Sequence, residues 1–418
     1  MKKTHFLLFL FLSTTLFSQE KLSLETCYSL LNKNYPLANN TTLLAKQNEL
    51  DLASIATKKL PKIEFGAQTT YQSDVTQMPI AIPNATVEPP NKDQYKATLS
   101  VNQLIYNGGR IDATSKVSEA NLKAQQKQVE VNLYQLKKQV NSYFFSILLL
   151  NDKLQLLEAK ETLLNAKLKE VQAGIKFGVL LPTSDSVLEA ELLTVKQQFE
   201  DINVTKNSLI ESLSQLIGAP ISTESTFEKP TFLTVNDKNI KRPELDLFHL
   251  KKEAIKTSEN LILKQNAPNL MGFATGGYGN PGLNMLDNSF QTFYQVGIKL
   301  NWTVFDWNSN KKQRESILIN NDIINTEQEV FYLNITIELL QKQTEINKLS
   351  SLIKLDEEII ELRKKIVASA ASQLKNGVIT SSAYITEITN LFEAENSMSA
   401  HKIELLLAKA NYKTIKGI

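Results

Sequence analysis

The 418-residue chain has one cysteine, Cys27, and three histidines, His5, His249 and His401. One thiol forms no intrachain disulfide and no thiolate metal site, and histidines this scattered suggest no zinc site. Cys27 reads as a small helix residue, and His249 and His401 as surface or packing residues. The formal charge of +2 argues against nucleic acid and against a polybasic membrane-surface mode. No segment after the N-terminus approaches 18 consecutive apolar residues, so no transmembrane helix is expected, and any membrane-embedded part has to be made of strands. The run Gly276–Gly282 (GGYGNPG) contains a Gly-x-Gly but no Gly-Lys-Ser/Thr ending. Lying between two strand patterns, it reads as a loop tip. No nucleophile–base pair is evident, so no enzyme, cofactor, metal site or catalytic residue is expected.

Helix breakers are missing from two long stretches. All 14 glycines and 12 prolines fall outside Arg110–Ala173 and Ser309–Asn376. Such a gap over about 64 residues predicts a continuous helix, roughly 95 Å long at 1.5 Å per residue. Within the first, Val129, Leu133, Leu136, Val140, Phe144 and Ile147 step by threes and fours, a coiled-coil seam. Alone, this pattern would also suit a soluble coiled-coil rod.

Residues 1–19 read as a signal peptide, with Lys2 and Lys3 before the apolar segment Phe6–Leu16 and cleavage near Ser18 or Gln19. Beyond it the chain matches itself. Pro36 and Pro61 correspond to Pro243 and Pro268 at an offset of 207; Tyr95, Asn102, Gly178 and Gly218 correspond to Tyr294, Asn301, Gly377 and Gly417 at 199. A tandem duplication follows: a first repeat over 20–218, a connector over 219–242, and a second repeat over 243–418. Each repeat opens with a helix (about Leu37–Lys59 and Glu244–Gln265) and closes with a long helical hairpin (110–217 and 309–416). The turns lie at Gly174–Thr183 and Gly377–Ser382.

Between helix and hairpin the period switches from 3.6 to 2. Strands are expected at about 62–75, 93–105, 269–279 and 290–304, with a proline-bearing loop over Val75–Asn91. Ile63, Phe65, Ala67, Thr69 and Tyr71 alternate with Lys62, Glu64, Gln68, Thr70 and Gln72, and Tyr294, Val296, Ile298, Leu300, Trp302 and Val304 with polar neighbours. Roughly ten residues is the length of a tilted membrane strand, and Lys, Gln, Asn and Thr suit a wet lumen. Tyr106, Trp302, Phe305 and Trp307 cluster at the strand ends as membrane-interface aromatics. Four strands cannot close a barrel, so protomers have to associate; two would supply eight strands and three would supply twelve.

The opening LSLETCYSLLNKNYPLANN, the strand exits VNQLIYNGGR and LNWTVFDWNSNK, and the turns KFGVLLPTSDSVLEAELL and KNGVITSSAYITEITNLF resemble the TolC-like outer-membrane efflux proteins. The resemblance covers essentially the whole mature chain. It implies a mainly α protomer with a membrane β-barrel part: a homotrimer with a twelve-stranded barrel in outer-membrane lipid and an α-helical tunnel through the periplasm of a Gram-negative bacterium. It also implies a passive exit duct of a tripartite efflux pump or type I secretion system, served by a periplasmic adaptor and, through it, an inner-membrane transporter. Carried over, Gly178, Val179, Leu180, Asp185, Gly377, Val378 and Ile379 are adaptor-binding candidates. Thr386 and Glu387 are candidates for the periplasmic gate, because Ala383 stands where relatives place an aspartate. The competing reading is an exported periplasmic coiled-coil adaptor or scaffold without a channel.

Overall fold

The computed structural model describes residues 21–77, 88–232 and 239–418. The expected export signal therefore lies outside the described residues, as do most of the Val75–Asn91 loop and part of the connector. Strand β1 (Lys21–Leu22) leads into α1 (Leu24–Asn34); a 3₁₀ turn, Pro36–Asn39, precedes α2 (Asn40–Thr57). Strands β2 (Lys62–Tyr71) and β3 (Asp93–Tyr106) are followed by α3 (Arg110–Gln135), α4 (Lys137–Lys176) and α5 (Ser184–Ile217). After β4 (Thr226–Phe227) the order recurs: α6 (Pro243–Leu263), β5 (Asn269–Asn280), β6 (Gln291–Asn301), α7 (Ser309–Lys375) and α8 (Ser381–Lys416).

The elements depart from expectation at several places. The first opening helix begins as a 3₁₀ turn at Pro36 and becomes α-helical only at Asn40, while Pro243 does start α6. β2 stops at Tyr71 and β6 at Asn301, so Trp302 and Val304 lie beyond the strand rather than in it. The Gly276–Gly282 run is largely strand: Gly276, Gly277 and Gly279 pair within β5, where a Cβ on Gly277 would lie 2.3 Å from the Phe293 ring. The glycines therefore make room for a neighbour's side chain. Finally, α7 is one uninterrupted helix of 67 residues, but its counterpart is broken at Leu136. There the Leu136 N–H donates to the Leu133 carbonyl at 3.2 Å, a single tightened turn. The Tyr134 hydroxyl donates to the Thr414 carbonyl at 2.7 Å, and the Lys137 ammonium sits over the Tyr28 and Tyr134 rings at 4.8 and 4.4 Å. These contacts hold the two sides of the break.

The chain forms two compact units. One comprises the described residues up to Asn39, Glu130–Pro243 and Tyr332–Ile418; the other comprises Asn40–Val129 and Glu244–Phe331. In the first, Cys27 and Leu31 of α1, Phe144, Phe145 and Ile147 of α4, Leu213 and Ile217 of α5 and Ile403 of α8 share one core. Burial pushes the Cys27 thiol up to about 12, which keeps it protonated. Inside this core, Asn141 donates to Asn411 Oδ1 at 2.9 Å and to Thr414 Oγ1 at 3.3 Å, and accepts from the Tyr28 hydroxyl. A buried amide is tolerable only when satisfied in this way. The connector is not wholly irregular, since β4 pairs in parallel with β1.

The second unit holds an antiparallel sheet in the order β2-β3-β5-β6, with no described strand beyond either edge. Its register places Phe65, Leu99, Gly276 and Tyr294 in one row and Ile63, Val101, Ala274 and Val296 in another, on a single face. That face is apolar and open, Tyr294 being 81% exposed and Val296 72%. Lys62, Glu64, Gln68, Lys96, Thr98, Ser100, Gln295 and Lys299 occupy the other.

Candidate functional site

Both hairpins turn by the same backbone device. Lys176 ends α4, and Gly178 takes φ +72, a left-handed conformation that costs a residue with a Cβ about 1–2 kcal/mol. The Gly178 N–H donates to the Ile175 carbonyl at 3.0 Å and the Val179 N–H to Gly174 at 2.9 Å, satisfying carbonyls the helix end leaves open. Gly377, at φ +69, does the same: its N–H reaches Leu374 at 3.0 Å and the Val378 N–H reaches Gln373 at 2.9 Å. The two turns are neighbours, because a Cβ on Gly377 would stand 3.5 Å from the Val179 carbonyl oxygen.

The restarts differ. Asp185 lies in the first turn of α5, where its carboxylate faces the positive end of the helix dipole. In α8 the Thr380 hydroxyl instead accepts from the Ala383 N–H at 3.2 Å. The second hairpin thus restarts on a threonine cap, where the first carries an acid in its opening turn.

The structure divides the expected adaptor residues. Val179 and Val378 point to solvent, whereas Leu180 and Ile379 turn inward onto a core of Leu164, Val171, Leu188, Leu374 and Tyr384. Leu180 reaches this position over Gly174, whose missing side chain leaves its space. Sequence reasoning missed Phe177 and Leu181, which are exposed beside Val179. An aromatic next to a turn glycine was the available signal.

Of the gate candidates, the Glu387 carboxylate lies 3.4 Å from the Arg363 guanidinium and accepts from Asn390 Nδ2 at 3.4 Å. Thr386 is committed to its own helix, donating to the Ser382 carbonyl at 3.0 Å. The acid therefore carries its counter-charge within the chain.

At the strand exits Tyr106, Trp302, Phe305 and Trp307 are all exposed, and the Phe305 and Trp307 rings meet edge-to-face at 4.8 Å. Trp307 and Asn308 have φ of 53 and 60, the conformation that Gly108 and Gly109 adopt at the first exit. Asp306 accepts from Asn266 at 2.6 Å and from the Asn310 N–H at 2.9 Å, and these bonds hold its carboxyl below the usual range. Among the described residues, no group of histidine, cysteine or carboxylate side chains could hold a metal ion, and no helix is long and apolar enough to cross a membrane.

The model of the outer membrane efflux protein family matches residues 37–219. Over those residues the chain is similar to that family. The fold extends the likeness to nearly the whole chain. The Vibrio cholerae outer membrane protein VceC aligns at TM-score 0.64 and 13% identity over 94% of this chain and 96% of its own. The Campylobacter jejuni outer membrane channel CmeC aligns at 0.62 and 13% identity, over 94% and 85%. The Neisseria gonorrhoeae outer membrane channel MtrE, in its open state, aligns at 0.62 and 12% identity, over 94% and 88%. At these identities the likeness is one of fold. No protein of curated function matches the chain significantly.

Proposed function

We propose that this chain is the passive outer-membrane duct of an export machine, either a tripartite efflux pump or a type I secretion system. The sheet carries this reading. Its strands of 10, 14, 12 and 11 residues have the length of tilted membrane strands. One face is apolar and uncovered; each large side chain left in water forgoes about 1.5–3 kcal/mol of burial. Both edge strands lack a partner among the described residues, a state that no membrane sheet tolerates.

Three copies, each giving four strands, close a twelve-stranded barrel and remove every edge. The apolar face then meets lipid, the polar face lines a wet lumen, and the exit aromatics sit at the membrane interface. The helical hairpins, one opened by Asp185 and the other by Thr380, lie on the periplasmic side. There Phe177–Leu181 and Gly377–Ile379 form the surface for a periplasmic adaptor, which links the duct to an inner-membrane transporter. Arg363–Glu387 braces the second hairpin near its turn, beside Thr386, as part of the gate. A coiled-coil scaffold would have no use for a two-faced sheet with open edges.

Imaging of the detergent-extracted protein tests the assembly: three-fold particles with a barrel are expected, and monomers would overturn the reading. Replacing Gly178 and Gly377 together with leucine tests docking. Export should be lost while assembly persists, and wild-type export would remove the turns from the adaptor surface.

A further inference from the structure

The polar face of the sheet is unevenly charged. Its described strand residues carry Lys62, Lys96 and Lys299 against one carboxylate, Glu64. Lys62 and Glu64 pair with each other at 2.5 Å, so they largely cancel. Neither Lys96 nor Lys299 has an acidic partner among the described residues. They stand toward opposite ends of the sheet, since Lys96 pairs across from Gln68 and Gly279 while Lys299 pairs with Met271, itself opposite Leu104. Eight residues of β3 separate those rows, roughly 26 Å along the strand.

Lys96 is held at the wall. Its ammonium sits 5.0 Å from the centre of the Phe293 ring, which lies over Gly277. Phe273 covers Gly297 in the same manner, so two glycines on this face are filled by aromatics from the adjoining strand. Gly66 is not filled. A recess of about 260 Å³ opens there between Gln68, Lys96 and Thr98, with room for a carboxylate- or phosphate-sized group beside the ammonium.

We infer that the strand-built part of the duct is selective for anions, with Lys96 and Lys299 as the charges that set this preference and negatively charged solutes as the favoured cargo. The inference rests on the duct reading, which turns this face toward the lumen. Repeated around a closed barrel, the two lysines make two positive rings across a low-dielectric wall, the arrangement that focuses a field and concentrates counter-ions. Coupling between the rings is screened over about 10 Å at 0.1 M salt, so each acts locally and the preference strengthens as salt is lowered.

The test is the zero-current potential of the full chain in planar bilayers under a potassium chloride gradient at low salt, with the gate-loosened Arg363→Ser variant as the open background. Chloride should permeate in preference to potassium. Lys96→Glu with Lys299→Glu should lower the chloride-to-potassium ratio by about threefold or more, and Lys96→Arg with Lys299→Arg should keep it. If the glutamate pair fails to assemble, Lys96→Gln with Lys299→Gln is read instead and should lower the ratio less. A conducting wild type that prefers potassium, or a ratio unmoved by removing both charges, overturns the inference and leaves the duct standing. Silence from the wild type and from Arg363→Ser alike overturns the duct, and the inference with it.

Discussion

The two helical hairpins of the first unit share a turn and a common core but differ at one pair of rungs. Leu164 and Leu188 lie fully buried beneath the first turn; 199 residues on, at the corresponding rungs of the second, stand Arg363 and Glu387. At these rungs the first hairpin is apolar, a packing indifferent to salt, while its Lys160–Glu191 pair bridges α4 and α5 at 2.6 Å. The second, whose Leu374, Tyr384 and Ile388 are buried in the same core, carries at these rungs a partly exposed ion pair, which is weak and can be released by a competing charge. A single backbone plan thus carries an apolar contact in one hairpin and a releasable charge pair at the same rungs of the other.

The most disruptive way to break this difference is to move the charge across it. Leu188→Glu buries a carboxylate with no cation and should destabilise the protein by about 3–5 kcal/mol. Adding Leu164→Arg should restore part of that loss, and the denaturant midpoint of the extracted protein reads both. A middling effect comes from the turns themselves. Gly178→Ala and Gly377→Ala each force a Cβ into left-handed backbone, and neither meets a close obstacle. The two costs should match at about 1 kcal/mol; a marked inequality in thermal midpoints would show that the turns are not equivalent. The smallest stability effect belongs to the ion pair. Arg363→Leu and Glu387→Leu, singly and together, should give a coupling below about 1 kcal/mol in a double-mutant cycle. Yet Arg363→Leu should raise channel conductance where Leu164→Val does not.

Much of this was legible in the sequence because helix breakers and alternation are local signals. The empty stretch from Ser309 marks α7 to within a residue of its end, and the alternation at Ile63–Tyr71 and Tyr294–Leu300 places both edge strands. Gly178 and Gly377 announce their turns. The break at Leu136 left no mark: its neighbours are ordinary helix formers, and contacts from Tyr134 to Thr414, 280 residues away, accompany it. The counter-charge of Glu387 was equally hidden, because Arg363 and Glu387 meet only once the hairpin has folded. The second strand exit shows the converse. Trp307 and Asn308 adopt a backbone that Gly108 and Gly109 adopt more cheaply, so the exit imposes its conformation whatever residue stands there. Trp307 is kept at that cost, about 1–2 kcal/mol for its backbone alone, and is 81% exposed.

The open edges of the sheet have a genetic consequence. In the proposed closed ring of three, each copy would give β2 to one neighbour and β6 to the other. A chain whose β2 is spoiled can still pair through β6, and so it enters the ring and prevents closure. In a cell making equal amounts of sound and spoiled chains, about one ring in eight would be wholly sound if copies mix at random. Lesions in β2 or β6 should therefore be dominant over the normal allele. Lesions that abolish folding altogether should be recessive, because such chains never reach the ring.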